Sequence, residues 1–309
     1  MRTADPLPPL NKPEPAITVG RAVADVAQRF SASGIDTGRL DARLLMANVL
    51  GLASAHPGIH DERLLGPDDV RTFDRLCHAR LAGTPISRLI GRRAFWRDEF
   101  SIDGETLDPR PDSETLIEQA LAWVDRTASR DQPLRILDLG TGSGCLLLSI
   151  LRELPAGYSF GLDLSLGACR TARANAVALG LDQRCAFVVG DWMEAVGGVF
   201  DLVLCNPPYI PSGDIAGLAT EVRAFDPRCA LDGGADGLAS YRRVVPALHT
   251  VLSVNGCALL EVGIDQAASV ADLAAESGFA SSAYTDLAGV MRCIRLDARG
   301  VAPGGLNRR

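Results

Sequence analysis

The feature that most limits how this chain can fold begins after Gln132-Pro133, where short apolar runs start to alternate with helix-length segments. Arg135 to Leu139, Tyr158 to Leu162, Ala186 to Val189, Phe200 to Cys205 and Cys257 to Val262 have the length and composition of buried strands. Helical stretches follow three of them, one holding Leu146 to Leu151, the others running Ala168 to Leu179 and Gln266 to Ser277. The segment from Ala283 to Leu296 reads as two further strands around Leu287-Ala288-Gly289. Strands that alternate with helices predict an α/β fold: a parallel sheet covered by helices, with ligands bound beyond the strand C-termini.

The N-terminal part is helical instead. Val23, Val26, Ala27 and Phe30 fall on one face of a helix that stops near Gly34. A second helix is expected from Asp36 to Leu50, burying Leu40, Leu44 and Ala47, and a third from about Pro67 to Leu81 with Val70, Phe73, Leu76 and Cys77. Ala94 to Leu107, with Phe95, Trp96, Phe100 and Ile102 among charges, suggests a short β-hairpin joining two domains. Pro109-Arg110-Pro111-Asp112 breaks the chain, and Asp112 or Ser113 is expected to cap the next helix. His56 and His60 are four apart, but Pro57 and Gly58 disfavour a helix there, so both read as loop residues rather than metal ligands. The proline-rich residues 1–16 and the last residues, 300–309, read as flexible tails.

Composition narrows the setting. A formal net charge of −7 argues against a protein that holds nucleic acid mainly through phosphates. The cysteines are scattered, make no C-x-x-C and lie mostly in apolar runs, so they read as reduced thiols, not a disulfide framework. The N-terminus lacks the apolar core of a signal peptide, and no apolar stretch approaches the ~20 residues that cross a bilayer. A soluble, cytoplasmic protein without a metal is expected.

Asp138-Leu139-Gly140-Thr141-Gly142-Ser143-Gly144 lies between the first strand and its helix, where glycine lets the backbone turn sharply and a ligand come close. The dinucleotide fingerprint needs G-x-G-x-x-G, whereas this chain has G-x-G-x-G followed by Cys145. Asp163, ending the second strand, is placed to accept from both hydroxyls of a ribose. Asp191-Trp192, after the third, offers an acceptor and an aromatic surface to an adenine. An acidic site without a phosphate cradle suits the cationic sulfonium of S-adenosylmethionine better than NAD.

Leu204-Cys205-Asn206-Pro207-Pro208-Tyr209-Ile210 ends the fourth strand. Proline has no N–H for the ladder and stiffens the residue before it, so strand pairing stops at Asn206. A rigid turn then holds a side-chain amide beside an aromatic ring, an arrangement for gripping a planar group that carries its own NH2. Asn206 and the Pro207 carbonyl can accept from that NH2, and Tyr209 can pack on its flat face. Methyl transfer from a sulfonium needs little acid catalysis. What it needs is an in-line approach in a fixed, dry geometry.

With these residues assembled, the chain resembles the bacterial release factor N5-glutamine methyltransferases from about Val19 to Asp297. The stretches that carry the resemblance are Asp41-Ala42-Arg43-Leu44-Leu45, Gly91 through Phe95-Trp96, Pro109 to Glu114, Asp138 to Gly144, Asn206 to Tyr209, and Ala230 to Gly234 through Asp236-Gly237-Leu238. The resemblance implies a class I, Rossmann-like S-adenosylmethionine-dependent methyltransferase sheet of seven strands, one of them antiparallel. It implies a helical domain over 17–91 that helps dock the substrate, a hairpin linker over 92–107 and a methyltransferase domain over 108–299. The substrate would be the glutamine of the Gly-Gly-Gln loop of class 1 peptide chain release factors, with no direct nucleic acid or membrane partner. Gly140, Thr141, Gly142, Ser143, Gly144 and Asp163 would hold the cofactor, with Asp191, Trp192 and Asn206 beside it. Asn206, Pro207, Pro208 and Tyr209 would hold the glutamine, with Arg110 near the cleft. Asp108 and Ser113 depart from the family's usual isoleucine and threonine, and Asp108 offers itself as an ion-pair partner for Arg110.

Three rival readings share parts of this pattern. An adenine N6-methyltransferase, or another amino-group methyltransferase acting on nucleic acid or ribosomal protein, would use the same Asn-Pro-Pro-Tyr turn. A nucleic-acid enzyme of this kind would need a basic face that an acidic chain does not advertise. A non-catalytic module could keep the cofactor pocket alone, and an NAD-dependent oxidoreductase would need the missing dinucleotide spacing.

Overall fold

The computed structural model describes residues 17–52 and 60–298. The expected tails, and His56 with its neighbours Pro57 and Gly58, fall outside those residues. The chain divides into two compact units between Ile90 and Gly91.

The first unit contains helices α1 (Val19–Ala32), α2 (Gly38–Val49), α3 (Pro67–Leu81) and α4 (Ile86–Ile90). Its core is built by Val19, Val23, Val26 and Phe30 from α1, Ala42, Leu45 and Met46 from α2, and Phe73, Leu76 and Cys77 from α3. The buried face of α2 is the expected one only at Ala47, which is inside. Leu40 is 52% exposed and Ala42, Leu45 and Met46 are inside, because Asp41 points inward to Arg80, whose Nε donates to Asp41 Oδ2 at 2.8 Å. A buried ion pair leaves no room on that face for a reading based on apolar spacing alone.

The second unit opens with strands β1 (Arg92–Phe95) and β2 (Asp98–Ser101), an antiparallel pair. Phe95 and Phe100 from this hairpin sit in the same core as helix α5 (Glu114–Thr127). The main sheet is made of β3 (Arg135–Leu139), β4 (Tyr158–Asp163), β5 (Cys185–Val189), β6 (Phe200–Cys205), β7 (Leu252–Glu261), β8 (Phe279–Thr285) and β9 (Met291–Ala298). Their order across the sheet is β5-β4-β3-β6-β7-β9-β8, and β9 runs antiparallel to both of its neighbours. Helices α6 (Cys145–Glu153), α7 (Leu166–Ala178), α8 (Thr220–Arg223), α9 (Ala239–Ala247) and α10 (Ala267–Glu276) complete the unit.

Alternation along each strand explains the two-sided core. Ile136, Leu202, Leu204 and Leu259 face α5 and α6, while Leu137, Leu139, Val203, Cys205 and Leu260 face Tyr241, Val244 and Val245 of α9 and Val270 of α10. Both faces are covered, so the central strands read as nearly continuous apolar runs.

Candidate active site

Sheet register sets the site. Leu139 pairs with Cys205, and Cys205 with Leu260. The residues that follow, Gly140, Asn206 and Glu261, therefore lie side by side at the C-terminal ends of their strands. The strand order turns back between β3 and β6, and this is where an open α/β sheet forms a crevice. A cavity of about 300 Å³ lies there, walled by Arg110, Gly140, Thr141, Gly142, Ser143, Asp163, Asp191, Trp192, Asn206 and Pro208, together with Ser113, Glu105 and Arg243.

The glycine loop follows β3 with Gly140, Gly142 and Gly144 all at positive φ. Its N–H groups are largely spent inside the protein. Those of Gly140 and Thr141 donate to the Leu162 carbonyl, that of Gly142 to Asp163 Oδ2 at 2.8 Å, and that of Gly144 to the Thr141 carbonyl. A loop whose donors are committed in this way is a poor cradle for a pyrophosphate, which binds by receiving them. Beneath it, Asp138 accepts from Thr141 Oγ1 at 2.8 Å, while its Oδ1 has no hydrogen-bond partner among the described residues. Burial pushes the Asp138 carboxyl up to about 7, with the Thr141 hydrogen bond acting against the rise.

Asp163 is braced from both sides, its second oxygen accepting from Ser165 N at 2.9 Å. Desolvation raises its pKa, and the backbone hydrogen bonds oppose the rise. Ser165 caps α7, its side chain accepting from Ala168 N. Across the cavity Trp192 holds φ at 50°, a left-handed value that is strained for a bulky side chain and is kept only where the surroundings enforce it. Asp191 shares its carboxylate with Arg243 at 2.8 Å. Arg110 is taken by Asp226 at 2.5 Å. Both guanidinium groups on the wall are thus paired, and the carboxylates Glu105, Asp163 and Asp191 line the same wall. This set of charges favours a cationic ligand over a polyphosphate.

Two expectations are corrected. Arg110 does not pair with Asp108. Asp226 accepts from both the Arg110 side chain and the Asp108 backbone N–H, and the Asp108 carboxylate lies 3.5 Å from Arg93. Ser113 stands at the N-cap of α5 as expected, but neither it nor Asp112 caps the helix through its side chain: Pro111–Ser113 forms a short 3-10 turn, and Ser113 Oγ donates to buried Glu261 instead.

Strand β6 stops at Cys205, as the prolines require. Asn206 Nδ2 then donates to Ser113 Oγ at 3.2 Å. Tyr209 does not line the cavity; its hydroxyl donates to Glu261 Oε1 at 3.0 Å, and burial next to that carboxylate pushes the phenol pKa up. Pro207 is buried, and Gly144 packs against Ala172 and Leu148 at the start of α6. Ser240 Oγ donates to the Pro208 carbonyl at 3.2 Å, and Gln266 Nε2 to the Tyr209 carbonyl at 2.9 Å. Sequence reasoning passed over Glu261, Gln266 and Arg292. A charge closing the apolar run Cys257 to Leu260 was the available signal for the first.

The PrmC N-terminal domain family matches residues 21–91, and the methyltransferase small domain family matches 121–222. A release factor glutamine methyltransferase of Rhodospirillum rubrum is 43% identical over 296 residues, spanning 96% of this chain and 90% of that one. The chain belongs to the release factor glutamine methyltransferase family. Its namesake in Bradyrhizobium diazoefficiens is 38% identical over 289 residues, 93% of this chain and 97% of that one. Among solved structures, the hMettl16 catalytic domain matches with a TM-score of 0.51 at 15% identity, covering 64% of this chain and 74% of that one, a likeness of fold alone. Within the family frame, Asp41-Ala42-Arg43 and Ala230 to Leu238 gain a physical reading: the first contributes the ion pair inside the helical unit, the second packs against the Asn206–Tyr209 turn.

Proposed function

We propose that this protein transfers the methyl group of S-adenosylmethionine to the side-chain amide nitrogen of the glutamine in the Gly-Gly-Gln loop of class 1 peptide chain release factors. The observation that carries this reading is the Asn206 amide at the cavity wall, beside a loop with acidic neighbours, in a chain related to these enzymes over nearly its whole length. The helical unit would help dock the release factor. The reaction would take place in the cytoplasm, a setting that keeps the protein's free cysteines reduced.

The donor set fits the cofactor. Asp163 would receive the ribose hydroxyls, Trp192 and Asp191 would flank the adenine, and Gly140 to Gly144 would back the remainder, with the leftover Asp138 acceptor beneath the loop. Bound there, S-adenosylmethionine supplies a methyl group on a cationic sulfur whose leaving group is a neutral thioether.

The chain's own residues supply orientation. Asn206 Oδ1 accepts a hydrogen from the incoming NH2 and fixes where the nitrogen sits. Pro207 and Pro208 stiffen the turn, which limits the reorganisation needed to reach an in-line approach. Asn206 acts as an acceptor and not as a base, because a side-chain amide does not take up a proton near neutral pH.

The test is methyl transfer from labelled S-adenosylmethionine to a purified release factor, beside a copy whose loop glutamine is replaced by alanine. Label is expected on the first alone. Label on both, or on neither, overturns the assigned substrate.

A further inference from the structure

Glu261 is 1% exposed at the end of β7, and an ionised carboxylate can only accept hydrogen bonds. Both hydroxyls that reach it therefore donate: Ser113 Oγ to Oε2, and Tyr209 to Oε1 at 3.0 Å. Burial raises the Glu261 pKa, the two hydroxyl hydrogen bonds and the neighbouring Arg292 charge oppose that rise, and Asp112 adds to it. Arg292 is itself largely buried and is held by Asp286 at 3.3 Å.

A serine hydroxyl carries one hydrogen. With that hydrogen given to Glu261, Ser113 can only accept from Asn206, so the Asn206 nitrogen must face Ser113 and its oxygen is left for the cavity. If Ser113 donated to Asn206 instead, the amide would turn over and offer NH2 to the substrate's NH2, donor against donor. We infer that Glu261 is a positioning residue that acts through Ser113 and fixes which end of the Asn206 amide meets the substrate. The inference rests on the proposed function, since it specifies how that same NH2 is received.

Glu261→Gln keeps the shape of the side chain but gives two donating hydroxyls one acceptor and one donor. Whichever way the new amide settles, Ser113 or Tyr209 loses its fixed direction. The expected result, with S-adenosylmethionine and release factor both saturating, is a kcat reduced by about 100-fold, with cofactor Kd by calorimetry and melting temperature close to wild type. Ser113→Ala should lose a similar factor, and Ser113→Thr, which keeps the hydroxyl, should retain most of the wild-type rate. A merely structural role would not predict the fourth measurement: the Ser113→Ala, Glu261→Gln double variant should be no slower than either single one. Full kcat in Glu261→Gln, multiplying losses in the double variant, or a parallel loss of cofactor affinity would each overturn the inference. A wild-type enzyme that labels no release factor would overturn the proposed function, and the inference with it.

Discussion

Gly233 lies so close to Tyr209 that a β-carbon on it would come within 2.7 Å of Tyr209 Cα and 2.8 Å of its carbonyl carbon. Those are backbone atoms, so no side-chain rotation relieves the clash. A β-carbon on Gly237 would likewise run into the Tyr209 carbonyl oxygen. Between them, Ile210 N donates to the Leu231 carbonyl at 3.0 Å and Gly233 N to the Ile210 carbonyl at 2.8 Å. The glycine-rich stretch after residue 230 is thus a mould for the Asn-Pro-Pro-Tyr turn.

Gly233→Ala tests the mould. The turn must move by a fraction of an ångström or more to admit the methyl group, and a displacement of about 1 Å at a reacting geometry costs about 100-fold in rate. We expect kcat on release factor to fall by about that factor, with about 1–3 kcal/mol lost in stability from overpacking. Steady-state kinetics and denaturant melts check it. Unchanged kcat would mean that the turn tolerates the shift.

Asn206→Ala separates substrate from cofactor. The substrate's NH2 loses its acceptor, whereas the loop that backs the cofactor keeps its own hydrogen bonds to Leu162 and Asp163. Turnover should become undetectable while cofactor affinity, by calorimetry, stays within about threefold. A large loss of affinity would assign Asn206 to the cofactor instead.

Much of this is legible in the sequence alone. The strands over Arg135–Leu139 and Phe200–Cys205 fall where the apolar runs placed them, because strands buried on both faces carry an unbroken apolar signal. Helix α9 was not foreseen: Pro246 lies inside it and a glycine-rich stretch leads into it, so local propensity argues against the helix that Tyr241, Val244 and Val245 secure by burial. The turn's residues were visible, but their direction was not. Which way Asn206 faces depends on Ser113, 93 residues away in sequence, and through it on Glu261, a further hydrogen bond spanning 148 residues. Only the sheet register brings Glu261 level with Asn206.

Asp163→Asn should act on affinity. The aspartate already accepts from Gly142 N and Ser165 N, and a charged acceptor strengthens whatever further hydroxyls reach it. Hydrogen bonds to a charged group contribute about 1.5–3 kcal/mol, so cofactor Kd is expected to rise by about 10- to 150-fold. At saturating cofactor, kcat should change far less. Equal losses in both would place Asp163 in the chemistry and not in binding.

Asp138 makes stability depend on pH in a direction opposite to that of most carboxylates. Burial lifts its pKa from 3.8 to about 7. Between those values the folded chain holds a proton that the unfolded chain has released, so stability falls as pH rises, by about 1.4 kcal/mol per unit. The favourable contribution is complete below about pH 4 and is lost as pH passes about 7. Asp138→Asn keeps an oxygen for the Thr141 hydroxyl and cannot ionise. Compared with that variant, the cofactor-free wild-type enzyme should lose melting temperature steadily from about pH 4 to about pH 7, after which the gap should stay constant. Parallel curves for the two proteins would show that Asp138 ionises as readily in the folded chain as in the unfolded one.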